Sequence, residues 1–66
     1  MILTYNLSIL DIENPETLLD AINEDCNRLF HIGSTLTIEQ LQEILNPMES
    51  GEVLNLDTKD LFHPKQ

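Results

Sequence analysis

Apolar and polar residues alternate at the start of the chain. Leu3, Tyr5, Leu7 and Ile9 share one parity, and Ile2, Thr4, Asn6 and Ser8 the other. This repeat, with its β-branched and aromatic content, predicts a half-buried strand over residues 2–10. Asp11, Ile12 and Glu13 lead out of it. The spacing then changes. Leu18, Ile22, Cys26 and Leu29 recur at helical intervals, with Leu19 and Phe30 widening the stripe, so an amphipathic helix is expected from Pro15 to Phe30. Its start is marked three times. Asn14 can cap free amides, Pro15 suits the first helical position, and Glu16 meets the positive end of the helix dipole. Gly33 is expected to end the segment.

Thr37 and Gln40 form a capping box, and Leu36 with Leu41 a hydrophobic staple. A second helix is therefore expected, with Ile38, Leu41, Ile44 and Leu45 on its apolar face, stopping at Asn46-Pro47. After a turn at Met48 to Gly51, the stretch from Glu52 to Leu56 reads as a strand with Leu54 and Leu56 inward. Asp57 can cap one last turn carrying Leu61 and Phe62, and residues 63–66 are expected to fray.

The order is strand, helix, helix, strand, short tail. It predicts one α+β domain over residues 1–66, with two helices covering one face of a small antiparallel sheet of two or three strands. Residues 31–35 are the candidate third strand. A lone two-stranded sheet is marginal in water, and an uncharged edge invites pairing, so a homodimer joined through the sheet edge is also expected. At 66 residues the chain lies near the lower limit for folding without staples. It is a well-packed marginal monomer or a subunit that gains stability from a neighbour.

Charge then narrows the partners. Twelve acids face three bases, Arg28, Lys59 and Lys65, for a net charge of −9. Nucleic acid and anionic membranes are polyanions, so direct binding to either is not expected; a basic protein surface is the natural partner. Acidity as a simple solubility coat is the alternative. On the first helix Glu16, Asp20 and Glu24 form a column about 6 Å apart along the axis. That column is the candidate docking face. Like charges at this spacing repel, and an Arg28 pairing with Glu24 is expected to recover part of the loss. Leu61 and Phe62 are the second candidate: a plug for a partner pocket, or a cover over this domain's own core.

Catalytic chemistry has little to work with. Transfer reactions need a nucleophile, a base and an orienting group in contact. Cys26 lies on the apolar stripe and reads as a small buried hydrophobe. His31 sits at a helix end and His63 in the tail. The chain has no CxxC or HxxxH spacing for a metal, and its two glycines are isolated, so no phosphate loop is possible. Neither catalysis, a metal nor a cofactor is expected. A single cysteine excludes an internal disulfide and fits a reducing compartment. No signal peptide or membrane span is legible, so a cytoplasmic location is expected.

In size, acidity and lack of catalytic residues the chain resembles the small inhibitors that phages and mobile elements encode against host nucleic-acid enzymes. The likeness is one of composition; it carries no motif and no residue roles. It implies an inhibitor or regulator of a basic, nucleic-acid-handling protein, in the anti-defence manner. The alternative is a structural or assembly subunit that homodimerises or docks by Leu61 and Phe62.

Overall fold

Ser8 decides where the first strand ends. The structure is a computed structural model that describes residues 1–62. Strand β1 covers Ile2–Asn6, and a short helix α1 covers Ile9–Glu13. The expected single strand over 2–10 is thus divided. Ser8 Oγ accepts from the Asp11 amide, and Asp11 Oδ2 accepts from the Ser8 amide at 2.9 Å. This reciprocal cap satisfies two amides locally. Leu7 still exchanges backbone bonds with Glu52 and Gly51, and there the turn into β2, Val53–Asp57, ends the pairing.

Helix α2 spans Pro15–Phe30 as its periodicity predicts. Its start is made differently from the expectation. The Asn14 side chain forms no capping bond; its backbone carbonyl accepts from the Thr17 amide at 3.1 Å. Leu18, Ile22 and Cys26 are buried, but Leu29 and Phe30 are not. Length explains the difference. Sixteen residues make a helix of about 24 Å, whereas the five-residue strands extend only about 17 Å. Strands of that length cannot cover every turn of the helix, and its buried stripe ends at Cys26.

The helix ends on His31, not on Gly33. His31 is left-handed, at φ 64° and ψ 17°, and its amide donates to Asn27 O at 2.9 Å. Residues 31–35 form no strand, so of the two or three strands expected the sheet has two. Their polar groups are taken up elsewhere. Asn23 Oδ1 accepts from both Ser34 N and Ser34 Oγ, and Leu61 O accepts from Thr35 N and Oγ1. This segment is laced to α2 and to the C-terminal turn, so its backbone is not free to extend the sheet.

Helix α3, Ile38–Leu45, carries the predicted capping box, with Gln40 Oε1 accepting from Thr37 N at 2.9 Å and Thr37 Oγ1 from Gln40 N at 3.1 Å. Leu41 and Leu45 point into the core. Gly51, at φ 92°, makes the turn into β2, a conformation that costs glycine little. The strands pair antiparallel with Leu3 opposite Leu56 and Tyr5 opposite Leu54. Helix α4, Thr58–Leu61, follows directly, capped by Asp57 Oδ1 accepting from Lys59 N at 3.0 Å.

The result is an α+β fold with a two-stranded sheet. Leu54 and Leu56 meet Leu18, Ile22, Cys26, Leu41 and Leu45 in one core, closed by Leu7 and Leu61. Ile2, Thr4, Asn6, Val53 and Asn55 face away and are exposed. Among the described residues no polar or charged side chain is buried. The expected fraying of residues 63–66 concerns positions outside those described.

Candidate functional site

Helix phase places the acidic column. Glu16, Asp20 and Glu24 each stand two residues before Leu18, Ile22 and Cys26. Two residues turn a helix by about 200°, so the two rows lie on opposite faces. The three carboxylates are exposed, and among the described residues none has a hydrogen-bond or ion-pair partner. Arg28 does not pair with Glu24 as the spacing suggests. It binds Asp25 at 2.6 Å. Asp25 is held from the other side by the Tyr5 hydroxyl, which donates to Oδ2 at 2.7 Å. A carboxylate already fixed by β1 offers arginine a formed acceptor at i−3, while Glu24 would have to be ordered first. Arg28 is therefore engaged by Asp25 and makes no ion pair with the column.

The second pair of candidates separates. Leu61 is 0% exposed and lies in the core cluster, so in this fold it covers the domain's own interior and presents no surface to a partner. Phe62 is half-buried and packs edge-on against Phe30, with ring centroids 5.4 Å apart and planes at 78°. Around that contact the apolar surface continues: Leu29 is 44% exposed, Phe30 36% and Ile32 57%. The sequence stripe had assigned Leu29 and Phe30 to the core.

Sequence reasoning passed over a further feature. An open groove of about 540 Å³ runs between α3 and α4. Its floor is Leu36 and Ile44, and its rim is Gln40, Glu43 and Asp60. A smaller depression of about 310 Å³ lies where α1 and the start of α2 meet the end of α3. Leu36, Gln40, Glu43 and Ile44 are near one another in the chain, but Asp60 comes from α4, so no local pattern announces the complete groove. By helix phase Gln40 stands about 40° from Ile44 at one edge of the apolar face of α3, and Glu43 about 100° from it.

Burial, and secondarily the charge of Asp25, pushes the Cys26 thiol above its ordinary pKa. A thiol held protonated in an apolar interior is a poor nucleophile. Among the described residues no three His, Cys, Asp or Glu side chains gather as a metal site, and no helix is long and apolar enough to cross a membrane. His63 lies outside the described residues.

Comparison with protein-family models, curated proteins and solved structures found no match. The assignment of function therefore depends on these surfaces alone.

Proposed function

We propose that the protein is a small acidic binding module whose α2 column docks on a basic protein surface, as an inhibitor or regulator of a nucleic-acid-handling protein of the anti-defence kind, without catalysis of its own. One observation carries this reading: Glu16, Asp20 and Glu24 line one exposed face and, among the described residues, pair with no cation, although Arg28 is only one turn away from Glu24. Unpaired like charges at i,i+4 destabilise a helix slightly. A partner's arginines and lysines would turn that loss into attraction, and long-range steering would speed association.

Charge density bears on how such an inhibitor would act. Duplex DNA as long as the protein's 32 Å axis carries about 19 negative charges. The protein carries −9, about half of that linear density. It is suited to competing for part of a basic groove, not to replacing a whole duplex.

The test is a triple reversal, Glu16→Lys with Asp20→Lys and Glu24→Lys. Partners are captured from host lysate on the native protein and eluted by salt. The reversed protein should keep its helical circular dichroism and lose the salt-eluted partner. A dissociation constant that is the same at low and high salt would remove this reading.

An assembly role is the second reading, favoured by the exposed apolar residues Leu29, Phe30 and Ile32 beside Phe62. In that case binding would ignore salt, and Phe30→Ala would do more harm than the triple reversal.

A further inference from the structure

We infer that the groove between α3 and α4 receives a basic amphipathic segment of the partner protein, with one apolar side chain on Leu36 and Ile44 and a lysine or arginine held between Glu43 and Asp60. This rests on the reading above, since a basic partner is its premise, but it names a second and different surface.

The chemistry of the lining selects this occupant. Leu36 and Ile44 are half-buried and pack against the core from outside, so the floor is apolar and backed by fixed side chains. Glu43 comes from α3 and Asp60 from α4, so the tertiary fold sets both carboxylates on the lining of one groove. Both are exposed, and neither has an ion-pair partner among the described residues. Gln40 adds a donor: its Oε1 is committed to Thr37 N, which fixes the amide group and leaves its NH₂ on the rim. The nearest base in sequence, Lys59, is exposed and likewise makes no ion pair among the described residues. An apolar floor under two carboxylates complements an aliphatic stem that ends in a cation, and the Gln40 NH₂ can donate to a backbone carbonyl of the same segment. It opposes an acidic peptide, and a second copy of this chain would bring another nine negative charges.

The probe is a blocked peptide of alternating leucine and arginine, titrated into the isotopically labelled full chain and followed by amide chemical shifts. Saturating shifts are expected at Leu36, Ile44 and Asp60, with none from the same peptide carrying glutamate for arginine. The variant Glu43→Gln with Asp60→Asn changes only exposed groups and should weaken binding about tenfold, the scale of two exposed ion pairs. Shifts confined to Glu16, Asp20 and Glu24 would overturn the groove and leave the basic-partner reading standing. Equal affinity for the double variant, or no saturable binding, would also overturn the groove. The wider reading is judged separately, by salt dependence and the α2 reversal, neither of which touches these residues.

Discussion

The Tyr5 hydroxyl donates to Asp25 Oδ2 at 2.7 Å, joining β1 to α2 across 20 residues of sequence. The same carboxylate receives Arg28 at 2.6 Å. One aspartate thus ties the sheet to the helix and engages the arginine whose spacing suggests a pair with Glu24. Burial, then the bond to Asp25, raises the Tyr5 pKa above its ordinary 10.0. The folded protein therefore holds the phenolic proton more tightly than the unfolded chain does. Its contribution is complete below about pH 10, the unfolded value, and is lost as pH climbs towards the raised folded one. Tyr5→Phe should cost about 1 kcal/mol at neutral pH. Above about pH 10 its denaturation midpoint should fall less steeply than the wild type's. Cys26 and the lysines are common to both proteins, so the difference isolates Tyr5. Parallel pH profiles would show that the phenol is not coupled to folding.

Leu61 closes the core at the C-terminal end of the described chain. Leu61→Ala removes fully buried atoms and should cost about 2–5 kcal/mol. A domain of 66 residues has only about 3–10 kcal/mol in all, so thermal melting should show a large unfolded fraction at ambient temperature. Phe62→Ala removes a half-exposed ring and an edge-to-face contact worth about 0.5–1.5 kcal/mol beyond burial, and should leave a cooperative transition. A Leu61→Ala protein that melts like the wild type would mean that this residue is not part of the core.

His31 occupies a left-handed backbone position, φ 64°, that most side chains avoid. His31→Gly should relieve about 1 kcal/mol of that strain. Urea denaturation should show a higher midpoint with an unchanged slope. A lower midpoint would mean that the imidazole contributes more than the backbone gains.

Asp20 is the middle of the acidic column and takes part in both i,i+4 repulsions, with Glu16 and with Glu24. Asp20→Asn should stabilise the fold by about 0.2–0.5 kcal/mol for each pair relieved. The same change should weaken capture of a basic partner. Greater stability with weaker binding is the signature of a face kept for docking; greater stability with unchanged binding would mark it as a solubility coat.

Local signals were legible wherever a few neighbouring residues settle the outcome. The Thr37–Gln40 box, the stripe Leu18, Ile22 and Cys26, and the inward pair Leu54 and Leu56 all stand where their spacing placed them. Ser8 and Asp11 carry the same kind of local signature, S-x-x-D ahead of an apolar residue, but it was masked by an alternation that continues to Ile9. A period-2 run does not tell how far a partner strand extends, and β2 is too short to pair with all of it.

By itself the sequence determined the element types, the core face of each long element, and an excess of negative charge on the outer face of α2. Those follow from spacing within one or two turns. Only the tertiary structure decided that residues 31–35 serve as a laced connection and not as a strand, that Leu61 lies inside while Leu29 and Phe30 lie outside, and that Arg28 chooses Asp25. It also brought Glu43 and Asp60 to one groove. Each of these depends on relative lengths and on partners distant in the chain, and the free energy of a contact exists only once folding has brought its two halves together.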